Sequence, residues 1–147
     1  MALVTVGGVA LVGIAGCSDE AAPEPTAADY VVELEAICSQ TAAQLGALPD
    51  PPEAITVTEF ATQASSILTE EAEQIRSLAV PDDLDADHRA LIGNDEDQAA
   101  GWADLAAAAS GDSAAFSEIT TAIASLNLGR NDLVTEMGAP GCVRLPG

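Results

Sequence analysis

Lysine is missing from this 147-residue chain, and the four arginines, at positions 76, 89, 130 and 144, face 24 Asp and Glu for a formal charge of −20. That deficit excludes nucleic acid as a partner, because binding it needs cations that neutralise phosphates. It also excludes electrostatic adsorption to anionic lipid head groups. Any attachment to a membrane must be hydrophobic or covalent. Acidity of this degree speaks to solubility and association rather than to fold. Aromatic residues make up only 3% of the chain, so the core must be assembled from Ala, Leu, Ile and Val. Ala-rich interiors suit closely packed helices, since Ala loses no side-chain entropy in a helix.

The inventory of catalytic groups is equally thin. His88 is the only histidine. A Ser-His-Asp site is possible in principle, but no serine lies in a nucleophile-elbow pattern. Di-iron bundles use two acid-x-x-His pairs, and here Asp85 with His88 makes one. Zinc centres need clusters of His and Cys that the chain does not have. Asp83-x-Asp85-x-Asp87 has the opening spacing of an EF-hand loop, yet His88 and Asn94 occupy the positions that require Gly and Glu. Acids at a helix start also complement the helix dipole. The expectation is a non-enzymatic protein without a cofactor or metal.

What the chain does have is helical periodicity. Four amphipathic segments follow one another from Ala28 onward, with no convincing strand. The first carries Tyr30, Leu34, Ile37, Cys38, Thr41, Leu45 and Leu48 and ends at the "PDPP" of residues 49–52. The second opens with Thr56-Val57-Thr58-Glu59, a capping-box pattern, and carries Phe60, Ala64, Ile67, Leu68, Ala72, Ile75 and Leu78 as far as Pro81. The third begins in "DDLDADH", carries Leu84, His88, Leu91, Ile92, Ala99, Trp102, Leu105 and Ala109, and stops at Gly111. The fourth starts at Asp112, a favourable N-cap. It carries Phe116, Ile119, Ile123, Leu126, Val134 and Met137 before Gly138 and Pro140. Short connections between four such segments predict an all-α, antiparallel four-helix bundle over 29–147.

The N-terminus is different. Ala2 to Ala15 is apolar apart from Thr5 and three glycines, too short for a membrane span and the right length for the apolar region of a signal peptide. It ends in Ile14-Ala15-Gly16-Cys17, which resembles the bacterial lipobox: an aliphatic residue, two small ones and the cysteine. A transferase reaching that thiol attaches diacylglycerol, and a peptidase then fits the small side chains before the cut. "SDEAAPEPTAA" follows, acidic and Pro-rich without apolar periodicity, and reads as an extended tether. A signal peptide over 1–16, a lipidated Cys17 and tether over 17–28, and the bundle complete the expected organisation. No Lys or Arg precedes the apolar run, where signal peptides carry positive charge, which leaves an upstream start open. An uncleaved anchor or a buried apolar segment is the alternative. The whole pattern, lipobox, acidic tether, an "IC" early in the first helix and a "GC" near the end, is similar to that of small secreted lipoproteins of actinobacteria. The resemblance implies an extracytoplasmic location on the outer face of the cell membrane; most such proteins have no assigned function, so it does not point to an activity.

Three cysteines less Cys17 leave Cys38 and Cys142. In an oxidising compartment an even remainder suggests a disulfide; two unpaired thiols are the alternative. Pairing requires the tail "GAPGC" to fold back along the first helix. Plotted at 100° per residue, Asp95 interrupts the apolar stripe of the third helix and Arg130 that of the fourth. Each stands near a glycine, Gly93 and Gly129, at similar depth, and Asn127 shares that level. Three arrangements remain open: a buried Asp95–Arg130 pair, a ligand pocket lined by Asp95, Asn127, Arg130 and His88, or glycine breaks in both helices with Asn94 capping a restarted one. The functional expectation is a lipid-anchored binding or interaction module at the cell envelope, its partner a protein, a cell-wall polymer or a small ligand. An acidic cation-binding or spacer protein of the wall is the second reading, and an enzyme built around Asp95 and Arg130 the third.

Overall fold

The structure, a computed structural model, describes residues 24–49, 56–109, 111 and 113–144. Cys17, the lipobox, the capping position Asp112 and most of the tether lie outside the described residues. Four helices fold as an antiparallel bundle: α1 (Ala27–Gly46), α2 (Val57–Arg76), α3 (Asp85–Ala108) and α4 (Ser113–Glu136). There is no strand among the described residues.

Local chemistry sets most boundaries. Thr26 caps α1 by accepting from the Asp29 amide at 3.1 Å, so the helix begins inside the stretch expected to be tether. Thr56 and Glu59 form a reciprocal capping box at the start of α2, satisfying amides that would otherwise lack partners. The second helix stops at Arg76, five positions before Pro81. Leu78 and Val80 leave the helix to pack on the lower core. A 3₁₀ turn at Asp82–Leu84 then leads into α3, and the acids of "DDLDADH" occupy that turn and the first turn of α3 rather than a loop. Gly93 and Gly129 break nothing, because α3 and α4 run through them as continuous helices. Gly138 ends α4 with φ of 78°. There the Ala139 amide reaches the Val134 carbonyl at 2.8 Å and the Gly138 amide reaches that of Thr135 at 3.1 Å. This is a Schellman motif, with the buried Val134 and Ala139 as its apolar contact.

Small residues let the helices approach. Ala61, Ala64 and Ala72 are buried on α2 and Ala99 on α3, and the Ser65 hydroxyl donates to the Ala99 carbonyl at 2.7 Å. At Gly101 a Cβ would come within 2.9 Å of Ile123, so the α3–α4 crossing depends on a missing side chain. The apolar core falls into two clusters. The lower one gathers Tyr30, Leu34, Ile75, Leu91, Val134 and Met137 from all four helices and their ends. The upper one gathers Ala61, Leu105 and Ile123 with Trp102 and Phe116, from α2, α3 and α4 alone.

The lower α1–α4 side is closed by residues 137–144, a C-terminal strap. It carries a 3₁₀ turn at Pro140–Cys142 and lies along α1. Cys142 is disulfide-bonded to Cys38 across 104 residues of sequence. The Gly141 amide donates to Glu35 at 2.8 Å. A cross-link closing so long a loop removes substantial entropy from the unfolded chain. Replacing both cysteines by serine is expected to lower stability by about 2–5 kcal/mol. Urea unfolding of the variant should give the same midpoint as the reduced parent protein.

Candidate functional site

Arg130 points inward from α4 and is wholly buried. Every edge of its guanidinium is used. Nε donates to Asp95 of α3 at 2.7 Å, Nη1 to the Cys142 carbonyl at 2.7 Å, and Nη2 to Glu71 of α2 at 2.8 Å. The Cys38 sulfur lies 3.6 Å from Nη2. Arg144, on the strap, completes the cluster. Its guanidinium bonds the other oxygen of Glu71, Gln98 at 3.1 Å and Asp95 at 3.5 Å. Asn131 of α4 fixes the strap's backbone by accepting from the Arg144 amide at 2.9 Å and donating to its carbonyl at 2.8 Å.

Two cations thus meet two carboxylates where Glu71, Asp95 and Arg130 have no solvent contact. Burial pushes the Glu71 carboxyl above its ordinary range, and the nearby Asp95 adds to this, against the pull of Arg144 and Arg130. Burial likewise lowers Arg144, opposed chiefly by Glu71. Asp95 uses one oxygen; its Oδ2 is buried without a partner. Beside the cluster, Gln98 donates to Asn94 at 2.6 Å, and Asn94 donates to the Leu126 carbonyl of α4 at 3.1 Å.

The structure therefore brings Asp95 and Arg130 together, adds Glu71, Arg144 and Gln98, and separates His88. That histidine lies in the lower core, its Nδ1 2.9 Å from the Tyr30 hydroxyl and its ring set edge-on to the tyrosine. Burial lowers the His88 pKa, outweighing nearby Asp85, while Arg76 and Arg89 add to the lowering. Burial pushes Tyr30 up to about 12. The fold thus favours a neutral imidazole beside a protonated phenol.

Asn127 lies in the wall of a cleft of about 770 Å³ that Gln98 and Arg144 also line. The cleft lies between the upper half of α1, at Cys38, Ala42 and Leu45, and the facing stretch of α4, from Thr120 to Leu128. Phe60, Leu68, Trp102 and Leu105 form its floor, with Phe60 and Trp102 packed edge to face. The strap closes its inner end through residues 141–144. Leu128 and Val143, 62% and 42% exposed, stand at its rim. The volume falls within the range typical of small-molecule sites, roughly 300–1,000 Å³. Among the described residues, no group of His, Cys, Asp and Glu is arranged to hold a metal ion, and no helix is long and apolar enough to cross a membrane.

Compared with protein-family models, curated proteins and solved structures, the chain matches none.

Two outcomes follow from this geometry. Removing one member of a buried ion cluster leaves its partners charged and dry, so Arg130→Ala should cost about 3–5 kcal/mol in urea unfolding; a loss under about 1 kcal/mol would contradict the cluster's role. For His88 the folded pKa is below the unfolded value of 6.5, so its contribution is full above pH 6.5 and is lost as pH falls through the folded value. The thermal midpoint should decline on acidification below pH 6.5, and His88→Phe should flatten that part of the profile.

Proposed function

We propose that this protein is a lipid-anchored, extracytoplasmic binding module whose site is the cleft between α1 and α4. The observation that carries the binding role is the cleft itself. It is built into the bundle, lined mainly by carbon and bordered by exposed aliphatic side chains. Such pockets, apolar with a few convergent polar groups, are the usual form of small-ligand sites. The anchoring role rests on Ile14-Ala15-Gly16-Cys17 at the end of an apolar run of signal-peptide length. The Cys38–Cys142 disulfide supports it, since such bonds persist outside the reducing cytoplasm.

In this reading, diacylglyceryl on Cys17 holds the domain at the outer face of the membrane, and the acidic segment after it keeps the domain clear of the surface. The positions of the chain's entry and of the cleft are compatible with this reading. The tether enters at the lower end, beside Tyr30, whereas the cleft runs toward the upper end, where α1 finishes and α2 begins. A guest would be received on the side away from the anchor. The reading favours recognition, because the arginines and Glu71 of the buried cluster are engaged with one another and Arg144 is the one charged residue among the described residues that line the cleft.

Both halves of the proposal can be measured. Protein recovered from membranes of an expressing bacterium should have a denatured mass that starts at Cys17, carries a diacylglyceryl adduct and lacks two hydrogens. Cys17→Ala should move it out of the membrane fraction. The neutral dye N-phenyl-1-naphthylamine should bind one site per chain with enhanced emission. An unmodified mass including Met1 would overturn the anchor, and non-saturable dye emission would overturn the cleft as a site.

A further inference from the structure

We infer that the cleft takes an uncharged single-chain amphiphile headed by a hydroxyl, its chain along the apolar floor and its head near Asn127. The inference rests on the cleft being a binding site and goes on to name the ligand's chemistry.

Charge is the first argument. Among the described residues, Arg144 is the one charged residue in the lining, and its guanidinium is engaged by Glu71, Gln98 and Asp95. The other three arginines are also paired, Arg130 within the cluster, Arg76 with Glu96 and Arg89 with Asp85. An anionic head would meet no free guanidinium and would enter a molecule of net charge −20. A cationic head would find no carboxylate in the lining. Placing either charge beside Leu68, Leu105 and Ile123 means desolvation without a partner.

Dimensions are the second argument. The walls run from Cys38 to Leu45 on α1 and from Thr120 to Leu128 on α4. At helical rise each is about 10–12 Å long, which suits one extended chain of about ten carbons. The floor is aliphatic and aromatic, and Leu128 and Val143 extend it to the mouth.

The third argument is polar. The amide oxygen of Asn127 is buried and has no donor. An acceptor left in that state costs about 1–3 kcal/mol. It needs a donor, and a hydroxyl is the uncharged head that supplies one. Gln98 is committed, donating to Asn94 and accepting from Arg144, and the Thr120 hydroxyl is held by its donation to the Phe116 carbonyl, so Asn127 is the lining residue whose side-chain oxygen is buried without a donor. Asn127 lines the cleft but its oxygen has no exposed surface, so binding requires the amide to rotate about its side-chain torsions when the guest enters.

The test uses the chain from position 17 onward, which contains every described helix, carrying Cys17→Ser so that no acyl chain of its own competes. Trp102, the only tryptophan, is in the cleft lining and reports occupancy by its emission. The ligands are 1-decanol, its methyl ether, decanoate at pH 8 and the monodecanoyl ester of glycerol. Decanol should shift the emission saturably, with the ether and decanoate each about tenfold weaker. Comparing decanol with the glycerol ester tells a free alcohol from a neutral lipid head. Asn127→Leu should bring alcohol and ether to equal affinity. Ala124→Phe, at an exposed position of the α4 wall, should abolish the shift while leaving the thermal midpoint unchanged. Decanoate binding as tightly as decanol, or an unaltered response in Ala124→Phe, would overturn the inference. Should the naphthylamine dye bind and decanol fail, the ligand class falls and the cleft as a site stands; should neither bind, both fall. If sedimentation shows a dimer that Ala124→Phe dissociates, the cleft joins two copies and the ligand inference falls.

Discussion

Arg130 brings a permanent positive charge to a position with no exposed surface. A guanidinium cannot shed its charge as a buried carboxyl or amine can, so the surroundings must answer it with geometry. They do so from four directions: Asp95 on α3, Glu71 on α2, the Cys142 carbonyl on the strap and the Cys38 sulfur on α1. Each contact has its own direction, because the fork is planar and rigid. A slip of one helix by a single turn would move its partner about 5.4 Å away and leave a buried charge unmatched. The Ala-rich faces of α2 and α3 would tolerate several registers, since small side chains interdigitate weakly. The charge cluster is what discriminates among them. Its gain is specificity of register; its net contribution to stability is limited by the desolvation of four ionic groups.

The same cluster explains the strap. Two carboxylates beside one arginine would leave a surplus negative charge in the interior. Arg144 restores the balance, and it can do so only if the chain returns across the bundle after α4. The Gly138 turn starts that return, the disulfide fixes its middle, and Arg144 locks its end. Within a few residues of the strap a covalent bond and an ionic one share the work of closing the α1–α4 side. Above them, no described residue closes it. The upper half of α1 offers Ala42 and Leu45, and α4 faces it with Thr120, Ala124 and Asn127. Residues so small cannot fill the distance that the strap imposes lower down, and the cleft is what remains.

Much of this architecture is legible in the sequence, and the reasons differ by element. The four helices announce themselves by apolar period, and the Thr56–Glu59 box is a purely local signal. Asp95 and Arg130 are conspicuous because each interrupts an apolar stripe. Glu71 carries the same signal, three residues after Leu68 and four before Ile75, but its neighbours Glu70 and Glu73 hide it. Arg144 carries none, since it belongs to no helix; its one clue is standing two residues after Cys142. His88 looks like a site residue from its rarity, yet its place is set by Tyr30, 58 positions earlier, a pairing that no periodicity announces. The early end of α2 also escapes a sequence reading, because Pro81 is an obvious stop, whereas the actual one serves the packing of Leu78 and Val80. The cleft is the least legible feature. It is an absence of volume between two helices distant in sequence, and absences leave no motif.

Cation scarcity ties these parts together. With four arginines against 24 acids, the chain places two in the interior and lets Arg76 and Arg89 form exposed pairs on the surface. Carboxylates then dominate the outer faces, and a lining without them is a distinct environment on a strongly acidic molecule. The neutral lining follows from the same allocation: Arg144 reaches the inner end of the cleft with its charge already answered, so the cleft inherits the position of a cation without its field. Had Glu71 been an uncharged residue, Arg144 would lack its principal partner and the cleft would carry an anion site at its base. In the proposed binding role, the identity of one buried side chain on α2, in contact with the strap but outside the cleft lining, would thus decide the polarity of guest that the cleft admits.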